Sequence, residues 1–374
     1  MAVYFIFLCI AAAGCILLDF AARRHIVGNL PKAQLIWIGL LLFILSALRG
    51  EQVGVDVRNY HLIFNTFGTN PLSARMTSLS SGYPGYRLIC RIVYILTGGS
   101  YRVMLALSAA VIIYGFFKFF YLKSDNCLMS AAYFVFMYFF FSSLNVTRQF
   151  MAMAVMLLAF IALDEKRTLK FILLAAFAVS IHNVCILMLI YPILARIKWT
   201  KLLFAGYCVL ITAGLLFAEY AIRLFVAVFP RYSFYAVYNW QTTRGRRTIA
   251  VSLVLLATVL LALILSSPKL FGRLGVSPVR CTIRTFSDPL WTFMSLTMIE
   301  IVMGIFYFDN SFYIRIQSFF TPFAVLFLPG FIERVNKKWR FWLYLGSNAI
   351  FISITSVRLL LLDSGVVPYR FFWQ

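Results

Sequence analysis

The chain of 374 residues is 63% hydrophobic and only 12% charged, which excludes a water-soluble globule, where about a quarter of residues carry charge. Its net charge of +22, from 34 Lys and Arg against 12 Asp and Glu, would point a soluble protein toward nucleic acid. No nucleic-acid motif accompanies it, and in a membrane chain basic residues report orientation and contact with anionic lipid heads. The apolar runs are mostly 15 to 22 residues long, near the roughly 20 that a helix needs to cross a bilayer core, and the alternation of an outer-membrane barrel is missing. The expected fold is all-α, a polytopic transmembrane helical bundle with about 10–12 membrane segments, some short or re-entrant, and lid loops on its outer face.

Taken in chain order, the first run, Val3 to Leu18, has no basic residues ahead of it and no clear cleavage site before Arg23 and Arg24. It reads as a retained helix. With that span near 2–20, others are expected near 33–48, 101–121, 127–143, 150–163, 203–218, 248–265, 289–307, 316–332 and 341–362. Residues 87–98 are apolar but short and carry Arg87 and Arg91, which suits an interfacial or partly inserted helix. Residues 171–195 have basic clusters on both sides and His182-Asn183 in the middle. A single crossing would put one cluster on the wrong side, so a hairpin of two short helices with His182 near its tip fits better. The seven cysteines lack C-x-x-C spacing and mostly lie within apolar runs, as small buried hydrophobes do. With no internal repeat, low-complexity tract or soluble domain, one domain over residues 1–374 is the simplest organisation.

On this topology the N-terminus faces outside, all ten lysines lie on the cytoplasmic side, and all fifteen basic residues on the outer side are arginines. Guanidinium offers a planar fork of donors suited to phosphate and keeps its charge when partly desolvated, so the outer arginines are expected to work on a ligand. The polar residues gather on that same face. Arg49-Gly-Glu51-Gln-Val-Gly54-Val-Asp56-Val-Arg-Asn59-Tyr60 follows the apolar run ending at Leu48, and Gly50 and Gly54 let the backbone turn back over the membrane mouth. Ser81-Gly82-Tyr83-Pro-Gly85-Tyr86 is a turn-forming aromatic stretch, and in Asn145-Val-Thr-Arg148-Gln149 the polar residues stand at i, i+3 and i+4, one helix face. Arg148 is expensive to hold in or near lipid without a partner; the ordinary alternative is an arginine that snorkels to the headgroups or pairs with Asp56. Arg231, Tyr232, Tyr235, Tyr238 and Trp240, followed by Arg244, Arg246 and Arg247, form an aromatic and basic segment that suits either sugar stacking or an interfacial belt. Arg315 and Pro368-Tyr369-Arg370 complete the outer set, and Glu300, inside an apolar span, is expected to pair with a base such as Arg315. No metal-ligand spacing, P-loop, dinucleotide glycine pattern or G-x-S-x-G occurs, and no cofactor is expected. Arginines, carboxylates, amides and aromatics at the mouth of a bundle suit an anionic, sugar-bearing, lipid-borne ligand.

The order of these motifs resembles the EpsG family of exopolysaccharide polymerases, relatives of the Wzy O-antigen polymerases. The likeness lies in Leu48-Arg49-Gly50 with Val53-Gly54-x-Asp56 and Asn59-Tyr60, in Gly82-Tyr83 and Tyr86, and in Asn145-x-x-Arg148-Gln149 with Ala152 and Ala154. It continues to Phe177-Ala178-x-x-Ile181-His182 and, more loosely, to Pro368-Tyr369-Arg370. Asn183 stands where family members often have a small hydroxyl residue, and Ser81 where an acidic one commonly precedes the glycine–tyrosine pair. The resemblance implies a glycosyltransferase that polymerises oligosaccharide repeat units carried on undecaprenyl pyrophosphate, outside the bacterial cytoplasmic (inner) membrane, passing the growing chain to the non-reducing sugar of an incoming unit. Membrane lipids, a chain-length regulator and a flippase are the partners it brings with it.

Such a reaction needs a base for the attacking hydroxyl and cations for the departing pyrophosphate. Asp56, in a glycine-flexed loop that swings over substrate, is the favoured base. His182 is the second catalytic candidate, in a binding or phosphate-side role. Arg49, Asn59, Tyr60, Tyr83, Asn145, Arg148, Gln149, Arg231, Arg315 and Arg370 are the candidate substrate contacts. A flippase or transporter of lipid-linked sugars would also carry basic residues at a lipid–sugar cavity, but with polar groups reaching both faces. A ligase moving finished glycan to another lipid differs only in its acceptor. A plain scaffold leaves the arginine-only outer side unexplained.

Overall fold

A computed structural model describes residues 1–70, 83–197, 201–228, 244–265, 289–306 and 315–374. The protein is a polytopic helical membrane bundle. Among the described residues, five helices are long and apolar enough to cross a membrane, α1 (Ala2–Arg23), α2 (Leu30–Ala47), α5 (Tyr101–Lys123), α8 (Thr147–Asp164) and α15 (Lys337–Leu360). A broken pair, α6 (Cys127–Phe136) and α7 (Phe139–Asn145), bent by 57°, makes a sixth. Between α2 and α5 lie α3 (Val57–Thr69) and α4 (Pro84–Thr97); α9 (Thr168–Ile181), a 3-10 turn (Asn183–Leu189) and α10 (Ile190–Leu194) follow α8. The remainder is α11 (Lys201–Val228), α12 (Arg244–Leu265), α13 (Pro289–Phe306) and α14 (Thr321–Arg334).

The helix starts are written locally. The Asn29 side chain accepts the Lys32 N–H with Pro31 in the first turn of α2, and Asn126 accepts the Met129 N–H at the start of α6, the expected satisfaction of orphan donors. The break in the span expected at 127–143 is not local in origin. Tyr138 sits at φ +65, a left-handed conformation that costs a bulky residue, and its hydroxyl donates to the Asp363 carbonyl while the Arg358 guanidinium lies 3.8 Å over its ring. Arg358 is itself bonded to the buried Asp363 carboxylate at 2.9 Å. Contacts made by the C-terminal segment hold the bend.

Contacts divide the chain into two compact units, Met1–Leu187 with Val357–Gln374, and Met188–Ser356. In the first, α8 packs against α9 and α5, α5 against α2, and α4 against α3 and α9, around an aromatic core in which Phe116, Phe134, Phe139 and Phe150 meet at centroid distances of 4.6–6.0 Å. The two ends of this unit differ in charge chemistry. The Asn29–Tyr121 hydrogen bond and the Lys123–Asp164 ion pair at 2.7 Å bring the start of α2 and the ends of α5 and α8 together. Every lysine of the unit, Lys32, Lys118, Lys123, Lys166 and Lys170, belongs to these termini or to the adjoining start of α9. The opposite end carries arginine alone, Arg49, Arg102 and Arg148 among others.

In the second unit, α13 packs on α11, α12 and α14. Glu300 does not pair with Arg315. Its carboxylate accepts from Gln317 Nε2 at 2.9 Å and is 1% exposed, whereas Arg315 is exposed. Two residues further along the helix, on its opposite side, it is Gln317 that faces inward, next to Ser252 as well.

Candidate functional site: an arginine among tyrosines

Four expected segments meet at the arginine end of the first unit. Gly50 N–H donates to the Arg370 carbonyl at 2.8 Å, Phe372 N–H to Leu48 O at 3.0 Å, and Arg49 and Phe371 form an antiparallel bridge. Tyr369 reaches Leu45 O and Tyr4 reaches Val366 O, so the C-terminal Pro368-Tyr369-Arg370 closes over the end of α2. Burial pushes the Tyr369 phenol up to about 12, against the nearby Arg49 charge. Arg370 itself is exposed and offers only its carbonyl to this contact.

The Asp56 loop is tied down, contrary to the expectation that it swings. Gly54 N–H donates to Gly365 O at 2.9 Å, Val55 N–H to Ser364 O at 3.2 Å, and Asp56 N–H to Asn145 Oδ1 at 2.8 Å. Gly54 has φ +109, and a β-carbon there would stand 2.8 Å from Leu144 O, so only glycine lets the loop lie this close to α7. The fixed loop starts α3 at Val57, placing Asn59 and Tyr60 on a helix, with Asn59 exposed and Tyr60 buried.

Asn145, Arg148 and Gln149 do not share one helix face. Val146 breaks the helix at ψ 52, leaving Asn145 to end α7 and Arg148 and Gln149 in the first turn of α8. The separation divides their tasks. Asn145 holds the Asp56 backbone, Gln149 is buried, and Arg148 enters a cluster of rings. Its guanidinium carbon lies 3.8 Å from the Tyr83 centroid, 5.5 Å from Tyr86 and 5.8 Å from Tyr60, within cation–π range of all three. Arg148 makes no ion pair among the described residues, Asp56 included, and its buried Nε has no hydrogen-bond partner there. A half-buried cation held by ring faces keeps its N–H donors for a ligand, and an oxyanion such as phosphate matches that fork.

His182 belongs to the same cluster. It ends α9 in an extended conformation, φ −150, ψ 106, as expected of a break at this position, and its ring stacks on Tyr83 at 5.6 Å with an interplanar angle of 8°. Helices α4 and α9 come close enough for this because residue 85 is glycine; a β-carbon there would stand 2.0 Å from Ser180 Oγ. Tyr83 thus links the arginine of α8 to the histidine after α9.

Arg49 is placed differently. It is 2% exposed, and its guanidinium donates to Ser46 O at 2.6 Å and Thr147 Oγ1 at 3.0 Å. Burial lowers its pKa from the ordinary guanidinium value, with Tyr101, Tyr4 and Tyr369 acting the other way. Arg315 lies in the second unit, and Arg231 falls outside the described residues.

Two residues that were not among the candidate contacts also stand at this end. Tyr86 joins the cluster because Pro84 opens a helix, putting Tyr83 and Tyr86 three residues apart on one side; the Tyr-Pro-Gly-Tyr order carried that signal. His61 bonds Glu51 at 2.8 Å and stacks on Tyr101 at 4.5 Å, a pairing across ten residues that no local spacing announces.

Fold and site define the class: a polytopic helical membrane protein holding a ring-caged arginine beside a histidine at one end of a helical unit. Within that class the chain belongs to the EpsG family, whose model matches residues 32–371, and this membership supports a polysaccharide polymerase in general. No curated protein and no solved structure matches the chain.

Proposed function

We propose that the protein polymerises lipid-linked oligosaccharide repeat units at the outer face of the bacterial cytoplasmic membrane, with Arg148 as the principal phosphate contact. The observation that carries this reading is the Arg148 guanidinium in its cage of Tyr60, Tyr83 and Tyr86, with His182 stacked on Tyr83 and no carboxylate among the described residues paired to the guanidinium. In the reaction an acceptor sugar hydroxyl attacks the anomeric carbon of the donor glycan. The new C–O bond forms as the bond from that carbon to the carrier's pyrophosphate oxygen breaks, the hydroxyl proton passes to a base, and the electron pair leaves with the pyrophosphate. Cations that meet the growing charge stabilise the transition state, and rings beside them give the sugars a stacking surface. Asp56 is the proposed base, held by Asn145 rather than carried on a mobile loop, and His182 is proposed on the phosphate side. Arg49 supports the site from within the fold. Asn59, Gln149, Arg231, Arg315 and Arg370 are kept as contacts for the glycan or its carrier, and a flippase and chain-length regulator as partners.

The test is expression in a polymerase-deleted host that makes the matching lipid-linked unit. Wild type is expected to restore a ladder of glycan lengths, and Asp56→Asn to abolish it while the protein still accumulates. Single capped units from wild type would move the assignment to a ligase or flippase. Sidedness is checked by cysteine labelling from outside on a cysteine-free background, with reaction expected at position 58 and none at 337; the reverse pattern sinks the outer-face assignment.

A further inference from the structure

The end of the first unit opposite Arg148 carries its own arrangement. Helices α2 and α5 leave between them an open groove of about 530 Å³. Its walls are apolar along most of their length, with Ile36, Leu40, Phe43, Ala110, Ile113 and Tyr114 among the lining residues. Lys32 and Lys118 stand at one mouth, next to Tyr121. Neither lysine forms an ion pair among the described residues, whereas Lys123, on the same helix end, is taken up by Asp164. From Lys32 to Phe43 is eleven helical residues, about 16 Å at the α-helical rise, close to one leaflet's half of a roughly 30 Å hydrocarbon core.

We propose that this groove is a binding site for one anionic diacyl phospholipid of the leaflet on the lysine side, its acyl chain along Ile36, Leu40, Ala110 and Tyr114 and its headgroup phosphate between the Lys32 and Lys118 ammonium groups. Two cations without an ion pair among the described residues, at one end of an apolar channel of leaflet length, complement a single molecule that is anionic at one end and apolar for the rest. The polar end is specified by charge, and the depth by the lysine-to-phenylalanine span. Ile36, Leu40 and Tyr114 are exposed, which leaves the groove open from the side, as entry from within a bilayer demands. The Tyr121 hydroxyl, already accepting from Asn29 Nδ2 at 3.1 Å, keeps its own hydrogen for a phosphate oxygen. This site does not depend on the catalytic reading: it concerns other residues, and it needs no sugar.

The test is native mass spectrometry of the full-length protein titrated, in separate experiments, with dioleoyl phosphatidylglycerol, the zwitterionic dioleoyl phosphatidylcholine and a polyprenyl phosphate. Wild type is expected to retain one phosphatidylglycerol in clear preference to phosphatidylcholine. Lys32→Gln with Lys118→Gln is expected to weaken phosphatidylglycerol retention by roughly 25-fold, at about fivefold for each lysine near an anionic headgroup. Ala110→Phe, which fills the channel without touching charge, is expected to lower retention of both phospholipids. Lys166→Gln with Lys170→Gln, at the same end but outside the groove, is expected to leave the preference intact. Equal retention of the two phospholipids by wild type overturns the proposal. So does a loss in the Lys166 and Lys170 pair matching that in the groove pair, which would mean a diffuse basic belt, and so does tight binding of a polyprenyl phosphate with none of phosphatidylglycerol.

Discussion

Arg49 and Arg148 come from similar sequence settings, each at a junction between an apolar run and a polar turn, yet the fold uses them in opposite ways. Arg49 is enclosed, its two terminal nitrogens donating to Ser46 O and Thr147 Oγ1 while its buried Nε has no partner among the described residues. Arg148 rests against three tyrosine faces and, although its Nε is unbonded just as that of Arg49 is, no protein oxygen among the described residues engages its terminal nitrogens. A guanidinium satisfied by protein oxygens is a structural tie, because a ligand would first have to displace those bonds. One held by π faces keeps its directional donors, because ring attraction needs no N–H to point at a particular acceptor. Position in the chain does not tell the two apart; the partners do.

That contrast is broken most forcefully at Arg49. Arg49→Ala removes two charge-assisted hydrogen bonds, each worth about 1.5–3 kcal/mol, and leaves Thr147 and the Ser46 carbonyl buried. The expected result is a large fall in melting temperature and in membrane accumulation, with glycan made per folded molecule much less affected. A stable Arg49→Ala protein that makes no polymer would put Arg49 in the reaction and erase the distinction.

Arg148→Lys is expected to do the reverse. The ammonium cannot reproduce a two-pronged contact, so glycan synthesis should drop roughly ten- to hundredfold, corresponding to about 1.5–3 kcal/mol of transition-state stabilisation. Thermal stability should stay close to wild type. Unchanged glycan length at normal expression with Lys or Gln at 148 returns this residue to a headgroup-facing arginine.

Tyr83 sharpens the comparison, since its ring touches both Arg148 and His182. Tyr83→Phe keeps the ring and is expected to be nearly silent, while Tyr83→Leu removes a cation–π contact of about 0.5–2 kcal/mol and should lower polymer yield several-fold. Equal effects of Phe and Leu would assign the role to the hydroxyl and not the face. The smallest effect is expected at Asn145. Asn145→Ala deletes one hydrogen bond to the Asp56 backbone, about 1 kcal/mol, and hydrogen exchange at residues 54–57 should rise while the rest of the unit stays protected.

Much of this was legible in the chain. Hydrophobic run length alone specified a helical membrane bundle, since a bilayer core demands about 20 apolar residues whatever their order. The break at His182 showed as a polar pair inside an apolar run, and the polar clusters around residues 49–60, 145–149 and 368–370 were marked by residue type. What periodicity misread is specific. It placed Asn145, Arg148 and Gln149 on one helix face across Val146, and it joined α6 to α7 across Tyr138, where apolar residues on both sides look like one span; the bend is maintained by Asp363 and Arg358, more than 200 residues away. It read mobility into Gly50 and Gly54, although Gly54 serves close packing against Leu144.

The sequence by itself determined the solvent this protein lives in, the helices it forms and the places where polar side chains interrupt them, because hydropathy and capping act over neighbouring residues. Only the tertiary structure decided which arginine is locked and which is available, which carboxylate meets which amide, and that Tyr83 bridges Arg148 and His182. Those outcomes rest on contacts between helices far apart in the chain, whose approach is set by side-chain volume at single positions such as Gly85 against Ser180, and no local pattern encodes that distance.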